Sequence, residues 1–312
     1  MTVLVDPRAT FGAAVTEVAA HDPRVAVVST DSGGSSGFGD FARLYPERYL
    51  EVGILEQGAT GVAAGLATTG AVPVFCAIAP FVTCRNFEAV RNDLGYMRQN
   101  VKVVGRNGGL TYADLGPTHH SLEDYALMRM IPGMVVLAPQ DAGEIRGAVR
   151  AMLEHDGPVY MRIGGPAVPS LFADDDFEIG RARHLRTGED LTVVSTGYVT
   201  PAVLEAVDGL ASEGIAADLL GLGTVEPLDQ EAILASALRT GVVVTVEEHY
   251  VRGGLGGAVS ELLAEVPGVQ VHRIGVRHGY VSTGRYVELL AAAGLDAPGL
   301  TSRIREIAHG GR

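Results

Sequence analysis

Residues 51–70 read Glu51-Val-Gly-Ile-Leu-Glu56-Gln57-Gly58-Ala-Thr-Gly-Val-Ala-Ala-Gly-Leu-Ala-Thr-Thr-Gly70. The part from Tyr49 to Gly53 is typical of a short extended segment, and Glu56 lies where the first turn of a helix begins. The helix that follows is almost uncharged and rich in glycine and alanine, so another backbone can approach it closely. We therefore predict a helix that is covered on most sides, with a carboxylate at its start.

Glu56 has two interpretations. It could be a surface carboxylate in the first turn, where it complements the helix dipole. It could instead be carried into a buried, apolar setting, keep a raised pKa and serve as a proton donor or acceptor. The position of Glu56 alone does not choose between them.

The segment Val52-Gly-Ile-Leu-Glu-Gln57, followed by the small-residue helix, resembles the pyrimidine-binding domain of transketolases and related thiamine-diphosphate enzymes. The resemblance implies that Glu56 hydrogen-bonds the aminopyrimidine ring of thiamine diphosphate. In that family the glutamate promotes the imino tautomer, whose nitrogen removes the thiazolium proton. Glu56 is therefore expected to be both a catalytic and a cofactor-binding residue.

The composition indicates a globular protein. The chain has 312 residues, enough for two domains, with 47% hydrophobic and 20% charged residues. Its net charge of -13 argues against a nucleic-acid groove. No apolar run reaches the roughly 18 residues of a membrane helix, and no signal segment opens the chain, so we expect a cytoplasmic protein without a membrane partner. Cys76 and Cys84 are too few for a disulfide framework or a closed zinc site, which favours reduced thiols.

Strands alternate with helical segments in both halves of the chain, which predicts an α/β fold with two domains, each a mainly parallel sheet flanked by helices. We place the domains at residues 1–165 and 188–312, with a linker at 166–187 that contains Asp174, Asp175 and Asp176. Strands are predicted at 25–30, 72–78, 101–104, 134–137, 159–163, 191–196, 216–222, 242–247 and 269–276. Helices are predicted at 10–20, 81–97, 200–212, 228–238, 256–265, 286–293 and 300–308, from Glu56 onward, and from about Ser121 to Met130.

A flexible loop, Ser32-Gly-Gly-Ser-Ser-Gly-Phe-Gly39, follows the first of these strands. The carboxyl ends of parallel strands are where ligands bind in such folds, so Asp31 and Ser35 are candidates for the wall of a site. Gly37-x-Gly39-x-x-Ala42 loosely matches a dinucleotide fingerprint. Its first glycine lies several residues beyond the strand, too far for the tight turn, which disfavours a nicotinamide site.

A second motif, Gly116-Pro-Thr-His119, matches the Gly-Pro-Thr-His motif of the transketolase family. The resemblance implies that His119 contacts substrate beside the thiazolium ring, and histidine suits proton transfer near neutral pH. His119 could instead simply cap the following helix. The doublet with His120 could also suggest zinc, but no third ligand lies at a recognised spacing.

The resemblance extends to the ring of the cofactor. The family places an aromatic side chain after the glutamate helix and a second one three residues later, which correspond here to Ile78 and Phe81. Phe81 fits, whereas Ile78 replaces aromatic stacking with apolar contact. Alternatively, Phe75, Phe81 and Phe87 could all belong to the core.

The substrate end departs from the family. Gly165 stands where an arginine usually holds a sugar phosphate, and Asn107 stands where many members have histidine. Leu115 takes the usual place of an acidic residue, with Asp114 beside it, and Arg106 and Ser35 could partly compensate. The expected substrate-binding residues are therefore Ser35, Arg106, Asn107, Asp114 and His119, and whether the sugar is phosphorylated stays open.

In the second half, Glu247-Glu-His249-Tyr-Val-Arg-Gly-Gly-Leu-Gly-Gly257 resembles a segment of the family's C-terminal domain. We interpret it as structural, because its glycines suit a tight strand–helix junction.

The family's Gly-Asp-Gly motif, which holds the metal and the diphosphate, is absent from this sequence. The resemblance therefore implies the C-terminal subunit of a split, thiamine-diphosphate-dependent transketolase, which moves a two-carbon ketol unit from a ketose to an aldose. An N-terminal subunit with the Gly-Asp-Gly motif would hold Mg²⁺ or Ca²⁺ and complete an α2β2 heterotetramer, and no metal site is expected on this chain. The alternatives are the β subunit of a 2-oxo acid dehydrogenase first component, a deoxyxylulose-phosphate-synthase-like subunit, or a catalytically silent regulatory or scaffold subunit.

Overall fold

Two mainly parallel sheets carry the fold, and the computed structural model describes residues 4–172 and 177–310. The predicted class, α/β with two sheets flanked by helices, is confirmed. The boundaries at residues 165 and 188 stay predictions, and Asp174, Asp175 and Asp176 of the predicted linker lie outside the described residues.

The first sheet contains β2 (Val25–Ser29), β3 (Tyr49–Glu51), β4 (Val72–Ile78), β5 (Lys102–Arg106), β6 (Val135–Leu137), β7 (Val159–Arg162) and β12 (Thr224–Glu226), in the order β12-β6-β7-β5-β4-β2-β3. All neighbours are parallel except β12 and β6. The central strands are buried on both faces, as parallel sheets covered by helices require, and β2 and β4 are almost entirely apolar.

Helices cover both faces of this sheet: α1 (Pro7–Ala19), α2 (Gly39–Leu44), α3 (Glu56–Ala67), α4 (Ala79–Val82), α5 (Phe87–Ala89), α6 (Asp124–Arg129) and α7 (Ala142–Glu154). Helices α1 and α7 pack on one face, and α3 packs on the other together with a π-helical stretch, Val90–Tyr96. Two short strands, β1 (Leu4–Val5) and β8 (Val168–Pro169), pair antiparallel. None of the helices in the described part of the chain is long and apolar enough to cross a membrane.

The second sheet contains β9 (Ala182–Arg186), β10 (Leu191–Thr196), β11 (Ala217–Leu222), β13 (Val242–Tyr250) and β14 (Gln270–Val276), in the order β14-β13-β10-β11-β9. Only β9 is antiparallel to its neighbour in this sheet as described. The helices are α8 (Thr200–Ser212), α9 (Gln230–Thr240), α10 (Leu255–Leu263), α11 (Tyr286–Ala293) and α12 (Ala297–Gly310).

The two halves are interlocked. Strand β9 lies inside the stretch predicted as linker and adds an edge to the second sheet. Strand β12 follows β11 in the chain but pairs with β6 of the first sheet, next to a hydrogen bond from the Ala138 N–H to the Gly223 carbonyl (2.8 Å). Neither strand was predicted.

The predicted helix at 81–97 is wrong as a continuous element, because the chain breaks between α4 and α5. Thr83 leaves helical geometry at φ -115°, ψ -82°. The side chain of Gln57 donates to the Arg85 carbonyl at 2.9 Å, and the side chain of Asn86 donates to the Glu56 carbonyl at 2.7 Å. The first bond occupies the Arg85 carbonyl, which a continuous helix would use, and both bonds hold the break against α3.

Helix α7 was not predicted, although its first turn carries a local signal. The Asp141 carboxylate accepts a hydrogen bond from the Glu144 N–H at 2.7 Å, so Asp141 is the N-cap. An N-cap acid followed three residues later by glutamate is a recognised start of a helix.

Candidate active site

The candidate residues collect at the carboxyl edge of the first sheet. Strands β2, β4 and β5 run parallel, so the segments that follow Ser29, Ile78 and Arg106 leave the sheet on the same side. Helix α3 begins near this edge because β3 pairs with β2 and delivers the chain to Glu56.

Glu56 is the first residue of α3, and its side chain is only 8% exposed. The carboxylate is therefore buried, but its surroundings are not purely apolar, because Arg85 Nη1 lies 2.8 Å from Oε2. Among the described residues, no hydrogen-bond donor reaches Oε1. One carboxylate oxygen is thus held by an ion pair, and the other is available.

Arg85 also connects Glu56 to the aromatic part of the site. Its guanidinium carbon lies 3.9 Å from the centre of the Phe81 ring, a cation–π contact. The Phe81 ring meets the imidazole of His119 edge to face, with 5.2 Å between the ring centres. The structure thereby places Glu56, Phe81 and His119 in one continuous series of contacts.

His119 has a second aromatic neighbour, Tyr112, at 5.7 Å between ring centres. The Tyr112 hydroxyl accepts a hydrogen bond from Arg106 Nη1 at 2.9 Å, and the same nitrogen lies 3.3 Å from the side-chain oxygen of Asn107. Arg106 and Asn107 are therefore brought to the same site as Glu56 and His119.

Asn107 and Gly165 fit each other. A Cβ atom on Gly165 would lie 2.2 Å from Asn107 Nδ2, so no larger residue fits there without displacing the amide. Asn107 itself adopts a left-handed backbone, φ 55°, which asparagine tolerates better than most residues. The two departures from the family pattern are thus coupled, since the amide occupies space that a side chain at 165 would need.

The other candidates lie at the edge of this group. Ile78 is half-buried at the end of β4, opposite Arg106 in the sheet register. Asp31 and Ser35 lie in the exposed loop after β2, where the Asp31 N–H donates to Glu51 Oε1 at 2.7 Å and Ser35 Oγ donates to the Ser32 carbonyl at 3.0 Å. The Asp114 side chain is also exposed. In the described structure no hydrogen bond or ion pair joins Asp31, Ser35 or Asp114 to the Glu56–His119 contacts.

His120 points into the protein rather than into solvent. It is 5% exposed, and across the described ranges neither of its ring nitrogens finds a hydrogen-bond partner. Burial lowers the pKa of His120, and the neighbouring His119 lowers it further, so the neutral imidazole is favoured. Within residues 4–172 and 177–310 no group of three or more His, Cys, Asp or Glu side chains is arranged to hold a metal ion.

Sequence reasoning did not identify Arg85 or Tyr112. Arg85 lies in the turn between α4 and α5, where the helical spacing that brings side chains together does not hold. Tyr112 lies in an irregular loop, where spacing carries no such information.

One face of α3 is open in this chain, so the prediction of a helix covered on most sides is wrong here. Ile54 and Leu55, just before the helix, are 75% and 55% exposed, and Val62 on the helix is 38% exposed. Gly61 and Gly65 lie exposed on the helix as well. Apolar residues grouped like this usually mark an interaction surface.

Comparisons with known proteins identify the family of both halves of the chain. A family model described as "Transketolase, pyrimidine binding domain" matches residues 5–169, and one described as "Transketolase, C-terminal domain" matches residues 180–300. The chain belongs to the transketolase family.

Two relatives of this transketolase-family chain are named as subunits. It is 41% identical over 295 residues to a subunit of the apulose-4-phosphate transketolase of Phocaeicola vulgatus, covering 94% of both chains. It is 38% identical over 301 residues to "6-deoxy-6-sulfo-D-fructose transketolase subunit SqwH" of Clostridium sp., covering 96% of this chain and 94% of the relative. A solved structure described as "Split gene transketolase, inactive beta4 tetramer" is 38% identical, with a TM-score of 0.92 over 99% of this chain and 100% of that one.

Proposed function

We propose that this chain is the C-terminal subunit of a split transketolase, which transfers a two-carbon ketol unit from a ketose to an aldose with thiamine diphosphate. The main support is the arrangement around Glu56. One oxygen of its buried carboxylate accepts a hydrogen bond from Arg85, and the other oxygen is available. Contacts continue from Arg85 through Phe81 to His119. Family membership supports the class of reaction, since relatives of similar length are transketolase subunits.

The residues present fit the aminopyrimidine end of thiamine diphosphate. A ring with hydrogen-bonding nitrogens needs a carboxylate partner and an apolar face, and the site offers Glu56 Oε1, Phe81 and the half-buried Ile78. Several buried polar atoms at this edge have no hydrogen-bond partner within the described residues: Thr30 Oγ1, Arg106 Nε, both ring nitrogens of His120, and Ser121 Oγ. Buried polar groups are normally satisfied, so their grouping supports a ligand or ordered water at this place.

Bound thiamine diphosphate supplies the carbon nucleophile that carries the two-carbon unit. In the proposal Glu56 binds the pyrimidine ring and holds a proton at its carboxylate, while Phe81 and Ile78 orient the ring. Arg85 fixes the rotamer of Glu56 through its bond to Oε2.

His119 is assigned to the substrate. Its Nδ1 lies 2.9 Å from Thr118 Oγ1, so the orientation of the imidazole is set by its neighbour, and Nε2 can hold or protonate a sugar oxygen. Arg106 and Asn107, next to Tyr112, would bind the remaining polar groups of a sugar or sugar phosphate. Asp31, Ser35 and Asp114 are retained as peripheral candidates.

The partner in this proposal is an N-terminal subunit that carries the Gly-Asp-Gly motif and holds Mg²⁺ or Ca²⁺ with the diphosphate, in an α2β2 assembly. The open face of α3 next to Glu56 supports such a partner, because Ile54, Leu55 and Val62 would be covered by it. The related chain that forms a "beta4 tetramer" is described as inactive, which agrees with a need for a second kind of subunit.

The test is calorimetry of thiamine diphosphate in Mg²⁺, first with this chain alone and then with the candidate partner, followed by a ketol-transfer assay on the mixture. We expect binding and transfer only in the mixture. A mixture that associates but binds no cofactor would refute the proposal and favour a silent scaffold subunit. Decarboxylation of a 2-oxo acid instead of ketol transfer would assign the chain to one of the other thiamine-diphosphate reactions.

A further inference from the structure

The loop of residues 107–122, named here the site loop, carries Asn107, Tyr112 and His119 but is held largely by the second domain. Its apolar residues pack into that domain's core: Leu110, Ala113 and Leu122 are 0%, 5% and 1% exposed and lie among the residues of β10, β13 and α8. The loop belongs to the first domain by sequence and to the second by packing.

Hydrogen bonds hold the site loop at three points along its length. Glu248 Oε1 accepts from the Leu110 N–H at 2.6 Å, near the start of the loop. The Gly284 N–H donates to the Ala113 carbonyl, and the Tyr250 N–H donates to the Leu122 carbonyl, both at 3.0 Å. The loop is therefore fixed on both sides of Tyr112 and His119.

Glu248 is the centre of this arrangement. Its second oxygen, Oε2, accepts from the Tyr286 hydroxyl at 2.8 Å, and its own carbonyl accepts from Arg162 Nη2 at 2.9 Å. The same Arg162 nitrogen donates to the Ser121 carbonyl at 2.6 Å. Burial raises the pKa of Glu248, and the charge of Arg162 opposes that rise.

The fit between Glu248 and the loop leaves no spare room. A Cβ atom on Gly109, whose φ is 63°, would lie 2.3 Å from Glu248 Oε1, and a Cβ atom on Gly108 would lie 2.1 Å from Arg162 Nε. Only glycine at both positions lets the backbone approach these two charged side chains so closely.

We propose that Glu248 of the C-terminal domain is a positioning residue, which holds the site loop so that His119 and Tyr112 face the reacting sugar. The inference rests on the proposed ketol transfer, because it assigns the site loop to the sugar. It gives the C-terminal domain a function in catalysis that acts through the loop, without contact with the sugar.

The test uses the complex of this chain with its partner. Glu248→Ala removes the acceptor for the Leu110 N–H, and Glu248→Gln keeps a neutral acceptor of the same shape. Glu261→Ala is the matched control, since Glu261 also pairs across the two domains, with Arg129, but does not touch the site loop. The readouts are amide exchange in residues 107–122 and in α7, the kcat and KM for the sugar, and the dissociation constant of the cofactor.

For Glu248→Ala we expect about ten-fold faster exchange in the site loop, a loss of about ten-fold or more in kcat/KM for the sugar, and a nearly unchanged cofactor dissociation constant. Exchange in α7 should stay as in the parent, Glu248→Gln should recover most of the activity, and Glu261→Ala should resemble the parent. Unchanged loop exchange in Glu248→Ala, or activity as in the parent despite faster exchange, would overturn the inference.

If Glu248→Ala does not fold, Tyr286→Phe takes its place, because it removes only the donor to Oε2. It should accelerate loop exchange about two- to five-fold with the same pattern, and no acceleration would refute the positioning by Glu248. If the parent complex shows no ketol transfer, the proposed function fails, and amide exchange still reports separately whether Glu248 holds the loop.

Discussion

Replacing Glu56 with glutamine separates the contribution of Glu56 to the reaction from its contribution to the stability of the fold. The amide has nearly the shape of the carboxylate, and its oxygen can still accept a hydrogen bond from Arg85, which lies at 2.8 Å in the parent. The bond from Asn86 goes to the Glu56 backbone carbonyl at 2.7 Å, so it survives the change. What Glu56→Gln removes is the negative charge at the start of α3 and the ability to hold a proton.

The cost in stability is expected to be small. The Arg85 side chain is 40% exposed, so solvent screens the ion pair, and such pairs contribute about 0–1 kcal/mol. For a domain of this size that corresponds to a decrease in Tm of roughly 4 °C or less. The loss in turnover should be much larger, since general acid–base groups contribute about 10²- to 10⁴-fold, equivalent to about 3–5 kcal/mol in the activation barrier.

The assay is ketol transfer by the reconstituted complex, with thermal unfolding of the same samples. Glu88→Gln is the control, because Glu88 is an exposed carboxylate paired with Arg91 on the surface. We expect Glu56→Gln to lose at least about a hundred-fold in kcat/KM and Glu88→Gln to lose almost nothing. Turnover of Glu56→Gln within a few fold of the parent would refute the assignment of Glu56.

The remaining predictions concern the partner surface, the buried lysine and the Asn107–Gly165 pair. Val62→Asp, on the open face of α3, should weaken association with the partner by about ten-fold or more in calorimetry. Val287→Asp, on the exposed side of α11, is the control and should not weaken association. Equal effects of the two changes would contradict the assignment of the α3 face as the partner surface. Burial lowers the pKa of Lys102 from 10.5 to about 7. Between these two pH values the unfolded chain binds more protons than the folded chain, so the free energy of unfolding should rise with pH. The rise should be about 1.4 kcal/mol per pH unit and up to about 5 kcal/mol in total. Denaturant unfolding at pH 7 and pH 9 should show this rise in the parent and not in Lys102→Met. The same pH dependence in both proteins would contradict the prediction. The neutral amine of Lys102 still has two N–H donors for the carbonyls of His155 and Gly157, each at 2.7 Å. Gly165→Ala, with its Cβ 2.2 Å from Asn107 Nδ2, should destabilise the chain by about 1–3 kcal/mol in thermal unfolding. Adding Asn107→Gly should restore most of the lost stability. If the stability is not restored, the added methyl group clashes with something other than Asn107.

The parts of the fold that sequence reasoning predicted are those with local causes. Strand β4 and helices α8 and α11 have the predicted bounds, because an apolar run or a helical period is a property of the segment itself. Strands β9 and β12 lack such a signal, and they form because a neighbouring strand offers unpaired backbone groups. The interlocking of the two halves could therefore not be predicted from either half alone.

The candidate site also contains residues with a local sequence signal and residues placed only by tertiary contacts. Glu56, Phe81 and His119 could be proposed from the sequence because a motif or a position at the carboxyl edge of a strand marks each of them. Arg85 reaches both Glu56 and Phe81 because the chain breaks after α4. In this break Gln57 of α3 donates to the Arg85 carbonyl, and Asn86 donates to the Glu56 carbonyl.

The two interpretations of Glu56 were posed as alternatives, but the structure contains an element of each. Glu56 lies in the first turn, as the surface interpretation required, and its side chain is buried, as the catalytic one required. The small residues of α3 predicted close approach by another backbone, and within this chain one face of the helix has none. Small residues indicate that another backbone packs closely against the helix, but they do not indicate whether that backbone belongs to the same chain or to a second one. An open face of glycine and valine beside a buried carboxylate therefore supports the proposal that a second subunit completes the site.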